Sequence, residues 1–177
     1  VEWNVVDGQI LPNLALRSGA EEACGFLDEA GRCQIHAYRP GICRLFPLGR
    51  FYENGSFQYF LQIHECKKEN RTKVKVKKWI DTPDLKQYEA YISRWHYFLK
   101  DIRTAETEAA QKLLAEPCTG TAQEQEIQKK NRAAAAAERE KRRNLLIMKL
   151  FYLLPYDEKK DFYEQFEKRM QMAERSL

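Results

Sequence analysis

The sequence contains no stretch typical of a secretory signal or a membrane span. It starts at Val1 without the charged region and apolar region of a signal peptide. The longest apolar run, LLIMKLFYLLPY from Leu145 to Tyr156, contains Lys149 and is far shorter than the roughly 20 residues of a spanning helix. These absences predict a chain without a membrane span, and we expect the reducing cytoplasm to be its compartment.

Tight cysteine pairs and glycine-rich cofactor loops are also missing. The five cysteines are an odd number, so they cannot all pair within the chain, and structural disulfides are rare in the cytoplasm. No two cysteines are separated by two residues, as in a zinc ribbon, so their spacing alone is a weak indication of a metal site. The G-x-G-x-x-G loop of many cofactor-binding enzymes does not occur either.

The sequence does contain enough apolar material for a folded core. Hydrophobic residues make up 44% of the 177 residues and aromatic residues 12%, as in folded proteins. This length suggests one domain with an appendage, and it is sufficient to bury a core without covalent cross-links. The net charge of +4 is mild, so it permits an acidic partner without requiring one.

The middle of the chain predicts a β-hairpin followed by a lysine-rich strand. Asn54-Gly55 lies between two aromatic-rich runs, which is the strongest short-range signal for a two-residue turn. Alternate residues up to Ile63 and His64 are expected on the two faces of the second strand. Further on, lysines alternate with valines at Lys73, Val74, Lys75, Val76 and Lys77. This alternation predicts an edge strand protected by its lysines or, as the alternative, a cationic surface for an acidic ligand.

The second half of the chain predicts three helices. The first is expected near 83–115, with Thr82 as N-cap, Pro83 in the first turn and an apolar stripe formed by Leu85, Tyr88, Ile92, Trp95, Leu99 and Ile102. The second is expected near 121–154, starting with a capping box of Thr121 and Glu124. The third is expected near 158–175, with Phe162, Phe166 and Met170 at four-residue spacing.

These elements together predict an α+β fold. A small, irregular cysteine-rich part with the hairpin is expected over residues 1–81, and long amphipathic helices over 82–177. His96, beside the apolar stripe, is expected to be a packed or surface histidine rather than a ligand. The basic run REKRRN is expected to be a solvated helix face, so we predict no nucleic-acid partner. The helical region is where we expect a protein partner to bind.

Three of the five cysteines lie in one segment, CGFLDEAGRCQIHAYRPGICRLFPLG, from Cys24 to Gly49. A turn at 29–31 would bring Cys24 and Cys33 together, and a second turn at 39–41 precedes Cys43. The flanking arginines, Arg32, Arg39 and Arg44, would lower the thiol pKa values and offset the charge of thiolate ligands. From the residues alone, two interpretations stay open: three buried free cysteines, or ligands of a metal.

The residues between these cysteines closely resemble the signature of the YkgJ family of cysteine-cluster proteins, which are described as zinc- or iron-chelating. Its pattern reads approximately C-x-F-L, a short turn, then C-x-I-(H/Y)-x-x-R-P-x-x-C-R-x-F-P. This sequence matches at Cys24, Phe26, Leu27, Cys33, Ile35, His36, Arg39, Pro40, Cys43, Arg44, Phe46 and Pro47. The resemblance covers roughly Ile10 to Ile80, and the helical remainder carries no motif of the family.

The resemblance implies a metal or iron–sulfur site with Cys24, Cys33, Cys43 and, further along the chain, Cys66 as ligands. Four thiolates can bind zinc or hold an iron–sulfur cluster. The family pattern also has an upstream cluster, C-x(2-3)-C-x2-C-C, whereas this sequence has no cysteine before residue 24. The stretch DGQILPNLALRSG is similar to the region between the two clusters, so we expect the upstream cluster to lie outside this chain. With those thiols restored there would be more than one zinc ion requires, which favours an iron–sulfur cluster.

Other residues of the pattern are expected to support the ligands. For His36 and His64 a structural role beside the site is favoured, with direct coordination as the reserve. Arg39 is expected to hydrogen-bond the backbone in the turn that positions Cys43, and Arg44 to offset thiolate charge. Cys118, outside the pattern, is expected to be an isolated loop thiol.

Three functions are compatible with the sequence. The first is a metal-binding protein whose site is structural or serves electron transfer or metal handling. The second is an enzyme, because the cysteine motif is similar to that of flagellin lysine-N-methylases. The third is an interaction module in which metal holds the N-terminal part together and the helices bind a partner.

Overall fold

The computed structural model describes residues 2–6, 8–17, 23–65 and 72–177, and its architecture confirms the predicted α+β class. In the described part of the chain, six strands form three two-stranded antiparallel sheets. The strands are β1 Glu2–Val6, β2 Gln9–Asn13, β3 Leu16–Arg17, β4 Ala23–Cys24, β5 Leu48–Glu53 and β6 Ser56–Leu61. The helices are α1 Gly41–Leu45, α2 Val76–Ile80, α3 Leu85–Ala115, α4 Ala122–Met148 and α5 Phe162–Ser176. No helix within the described ranges is both long enough and apolar enough to cross a membrane.

The chain forms two compact units, one made of residues 1–15 and 100–177, the other of residues 16–99. In the first unit, two neighbouring side chains of α4 form hydrogen bonds to the backbone of the β1–β2 hairpin. Asn144 accepts a hydrogen bond from the amide of Ile10 at 3.2 Å and donates one to the carbonyl of Gly8 at 2.9 Å. Arg143 donates to the same carbonyl at 3.0 Å. Arg143 and Asn144 are therefore buried, and the expectation of a solvated basic run is wrong for its last two residues.

The core of this unit lies between the end of α4 and α5. Its buried apolar residues are Ile147, Leu150, Phe151, Phe166, Met170 and Ala173. The second predicted helix begins as expected with the capping box of Thr121 and Glu124, but α4 gives way to a π-helical turn at Lys149–Leu153. The third begins at Phe162 rather than near 158, because the Asp161 side chain caps it by accepting from the Glu164 amide at 2.9 Å.

The predicted Asn54-Gly55 hairpin is confirmed in the second unit. Both turn residues have positive φ angles, 50° and 76°, and Glu53 of β5 pairs with Ser56 of β6 directly across the turn. This is the geometry of the two-residue turn that matches the twist of paired strands. Strand β6 ends at Leu61, so the expected continuation of the strand through Ile63 and His64 is wrong.

The lysine-rich strand predicted at 73–77 is also wrong, because residues 72–75 are irregular and α2 begins at Val76. Ile80, the last residue of α2, is buried, with only 1% of its surface exposed. Helix α3 begins at Leu85 rather than 83. Asp84, not Thr82, acts as its cap, since its side chain accepts from the Gln87 amide at 3.0 Å.

Candidate metal centre

The first turn of the cysteine segment is organised by one carboxylate. Asp28 accepts hydrogen bonds from the amides of Ala30 at 3.0 Å and Arg32 at 2.8 Å, and it forms an ion pair with the Arg32 guanidinium. Gly31 supplies the positive φ of 74° that closes the turn. The turn expected from the sequence is thus present, and an isolated antiparallel bridge between Leu27 and Cys33 follows it.

Cys24 is positioned by backbone pairing before this turn. It lies in β4 opposite Leu16 of β3, and its carbonyl accepts from the Leu27 amide at 3.1 Å. The Arg17 guanidinium, from the neighbouring position of β3, donates to the carbonyls of Gly25 at 3.1 Å and Leu27 at 2.6 Å. These contacts place Cys24 and Cys33 at the two ends of one closed loop.

Cys43 lies in the short helix α1. The segment Arg39-Pro40-Gly41, expected to be a turn, is instead the start of this helix, with Pro40 as the residue before it. The carbonyl of Pro40 accepts from the Cys43 amide at 3.0 Å. Arg39 donates from Nε to the carbonyl of His36 at 3.1 Å, so its predicted hydrogen bond to the backbone is confirmed.

Arg44 holds the cysteine segment to a distant part of the same unit. Its guanidinium donates to three carbonyls: Ala37 at 3.1 Å, Arg39 at 3.1 Å and Asp81 at 2.7 Å. Asp81 follows α2 in a left-handed conformation, which turns its carbonyl toward this bond. The fork of the guanidinium suits such a three-way contact, so Arg44 binds backbone carbonyls, while the charge-offsetting role expected from the sequence stays a prediction.

The three cysteines of this segment influence one another electrostatically. The pKa of the Cys43 thiol is raised above its ordinary value by burial and by the negative charge of the Cys24 and Cys33 thiolates, while the Arg39 guanidinium lowers it. Arg39 thus lowers the pKa of Cys43 as expected from the sequence, but burial and the two other thiols outweigh its effect. All three thiols are half-buried and free.

The remaining candidate ligands are the two histidines His36 and His64 and the fourth cysteine, Cys66. His36, in a 3₁₀ turn at 36–38, and His64, in the turn after β6, are exposed, and Cys66 lies outside the described residues. Within the described ranges no group of three or more His, Cys, Asp or Glu side chains forms a metal cage. Three neighbouring thiolates are nevertheless soft, anionic donors, so the chemistry of the donor set fits zinc or an iron–sulfur cluster.

Three residues that support the site were not predicted from the sequence. Asp28 had a local signal, since aspartate followed three residues later by glycine is typical of a tight turn. Arg17 and Asp81 had none, because they reach the cysteine segment only through the folded chain. The sulfur of Cys118, in the other unit, accepts a hydrogen bond from Arg132 at 3.6 Å. Cys118 is distant in sequence from Cys24, Cys33 and Cys43.

Comparison with known proteins gives one match. Residues 4–145 match the family model CxxCxxCC, described as a putative zinc- or iron-chelating domain. The match extends past the segment 10–80 that carries the recognised motif, through α3 and most of α4. Searches of curated proteins and of solved structures found no match. The C-x-x-C-x-x-C-C pattern that gives the family its name does not occur in this sequence. Because the family model spans most of the chain and the free thiols of Cys24, Cys33 and Cys43 lie within it, the chain belongs to the CxxCxxCC family.

Proposed function

We propose that the chain binds its metal through the thiolates of Cys24, Cys33 and Cys43, with Cys66 as the fourth ligand. The observation that carries this proposal is the fold of the cysteine segment, in which the turn at Asp28 and helix α1 hold three free, half-buried cysteines. Negative charges that repel one another when ionised are stabilised together by a bound cation, and this favours metal uptake at the cluster.

The bound group that we favour is an iron–sulfur cluster, with zinc as the alternative. Four thiolates suit both, and in a protein that contains the family's C-x-x-C-x-x-C-C pattern there are more thiols than one zinc ion requires. A cluster would provide electron transfer or a structural centre, whereas zinc would stabilise the fold around the cysteines. The enzymatic role and the interaction module considered from the sequence stay predictions.

The test is metal analysis of the full chain purified without oxygen. Stoichiometric iron and acid-labile sulfide, with a visible thiolate-to-iron absorption, would support the cluster, and zinc without iron would support the alternative. A protein that retains neither metal, and that cannot be loaded with either after reduction, would contradict the proposal as a whole.

Serine variants assign the ligands. Cys24→Ser, Cys33→Ser, Cys43→Ser and Cys66→Ser are each expected to lower the bound metal severalfold, because a hydroxyl is a poor substitute for a thiolate. Cys118→Ser is the matched control, since that cysteine lies in the other unit and outside the pattern. Equal metal content in all five variants would show that these thiols are not the ligands.

A further inference from the structure

The short helices α1 and α2 of the second unit leave three large apolar side chains in contact with water. Ile42 is 64% exposed, Phe46 48% and Trp79 44%. Ile42 and Phe46 lie one turn apart, because the Phe46 amide donates to the Ile42 carbonyl at 3.3 Å. The Trp79 indole donates to the Phe46 carbonyl at 3.1 Å, which brings α2 beside α1. These three side chains form what we call the α1–α2 surface.

The backbone under this surface is held from the inner side. Leu45 of α1 and Ile80 of α2 are buried, with 5% and 1% of their surface exposed. The Arg44 guanidinium donates to the carbonyl of Asp81, the residue after α2, at 2.7 Å. A surface that is already ordered loses little conformational freedom when a partner binds to it.

Lysines border the α1–α2 surface. Residues 72–80 contain four lysines and no acidic residue, and Asp81 is the next carboxylate along the chain. The Trp79 amide donates to the Lys75 carbonyl at 3.0 Å, so Lys75 lies one turn before Trp79. The four lysines are exposed, and in the part of the chain that the structure describes no carboxylate forms an ion pair with them: Lys73, Lys75, Lys77 and Lys78. The surface thus has an apolar centre and a cationic border.

This combination matches a protein better than a nucleic acid or a membrane. Nucleic acids are bound through their phosphates and by stacking of their bases, and an exposed aliphatic side chain such as Ile42 serves neither contact. Helices that lie on membranes have an extended apolar face, whereas α1 and α2 have five residues each. Protein interfaces have an apolar centre, often with tryptophan, and a polar rim.

We propose that the α1–α2 surface binds an acidic protein partner. Apolar side chains of the partner contact Ile42, Phe46 and Trp79, and its carboxylates pair with the lysines of the border. Complementary charges of this kind speed association and fix the orientation of the two proteins. Because Cys43 follows Ile42 in α1, the partner binds beside the cysteine segment. This interaction goes beyond metal binding and rests on exposed side chains rather than on the thiols.

The probe for this surface is the synthetic peptide EELLEELLEE, labelled with a fluorophore and titrated with the full chain while its anisotropy is measured. Saturable binding is expected, and the affinity is expected to fall as the salt concentration rises. The peptides KKLLKKLLKK and EESSEESSEE lack the acidic or the apolar groups, and each is expected to bind at least about tenfold more weakly. No saturation with the first peptide, or equal binding of either control, would overturn the proposal. Tighter binding of an oligothymidylate, or of vesicles of phosphatidylcholine and phosphatidylserine, would also overturn it.

A charge-reversal variant tests the cationic border. Lys75→Glu combined with Lys78→Glu is expected to weaken binding of EELLEELLEE at least about tenfold. Its control, Lys112→Glu combined with Lys129→Glu, changes the net charge equally at exposed positions of the other unit and is expected to alter the affinity by less than about twofold. Equal losses in the two double variants would show that only the overall charge matters, which would refute the assignment to this surface.

A polar substitution tests the apolar centre. Ile42→Ser is expected to weaken binding about fivefold, because the peptide loses an apolar contact. Leu114→Ser, at a position that is 51% exposed in the other unit, is expected to have no effect. Equal affinities of these two variants, with circular dichroism spectra like that of the unmodified chain, would contradict the proposal. The lysine variants change exposed side chains alone, so they decide the question even if Ile42→Ser does not fold.

Discussion

Replacement of Arg44 by methionine is expected to loosen the cysteine segment more than any other single charge removal in it. Methionine keeps the apolar stem but removes the guanidinium with all its donors, leaving the carbonyls of Ala37, Arg39 and Asp81 without their partner. The link between the cysteine segment and the end of α2 then depends on other contacts, such as the bond of 3.1 Å from the Trp79 indole to the Phe46 carbonyl.

The magnitude follows from the three bonds. A hydrogen bond from a charged donor contributes about 1.5–3 kcal/mol. Two of the three bonds are exposed to solvent, so water replaces much of their contribution. We therefore expect the free energy of unfolding to fall by about 3 kcal/mol in all, which corresponds to roughly a 100-fold rise in the open population of the segment.

Arg32→Met is the matched control. It removes the same charge from the same segment, but the Arg32 side chain is 81% exposed and forms a surface ion pair with Asp28. Surface pairs of this kind contribute about 1 kcal/mol or less. Because both variants lose one positive charge near the thiols, the difference between them isolates the contacts of Arg44 with the backbone.

Two assays measure the difference. Urea unfolding followed by tryptophan fluorescence reports the second unit through Trp79 and Trp95. Labelling of the thiols, quantified for each cysteine, reports local opening at Cys43, with Cys118 as the internal reference. If Arg44→Met and Arg32→Met gave the same unfolding free energy and the same labelling rate at Cys43, the structural role assigned to Arg44 would be refuted.

Three further predictions concern other contacts. Arg169→Met removes a buried guanidinium that donates to three carbonyls at the end of the π-helical turn, and we expect a loss of about 3 kcal/mol in chemical unfolding; a loss below about 1 kcal/mol would contradict this. Asn144→Leu leaves the amide that it binds in β2 without a partner and is expected to cost about 2 kcal/mol, while a melting curve that does not change would count against that contact. Tyr59 has its pKa raised to about 12 from an ordinary value near 10, so its contribution to stability is complete below about pH 10 and is lost as the pH rises toward 12. Tyr59→Phe should therefore reduce the loss of stability between those pH values, and an identical pH profile would show that the shift is absent.

Local sequence signals predicted the parts of the fold that depend on neighbouring residues. Asn54-Gly55 predicted its turn because positive φ angles at both positions are accessible to this pair. Thr121 and Glu124 predicted the start of α4 because the capping box closes within one helical turn. The start of α3 was misplaced by two residues, since Thr82 and Asp84 are both good caps and only the folded chain selects between them.

Alternation of residue types predicted the wrong secondary structure where tertiary contacts determine it. The lysines and valines at 73–77 alternate like a strand, yet the segment enters α2, whose last residue, Ile80, is buried. The end of the basic run REKRRN looked like a solvated face, but Arg143 and Asn144 are buried by the N-terminal hairpin, more than 130 residues earlier in the chain. The charge pattern of a helix does not show which distant segment of the same chain will cover it.

The sequence by itself determined which residues are available for metal binding. Cysteines at 24, 33 and 43, with the intervening residues of a recognisable pattern, were enough to predict a metal-chelating protein, and the family match supports that class. Only the tertiary structure decided how the thiols are held. Arg17, Arg44 and the Asp81 carbonyl act across loops that fold back on the segment, and hydrogen bonds between residues distant in sequence exist only once the backbone has brought their donors and acceptors together.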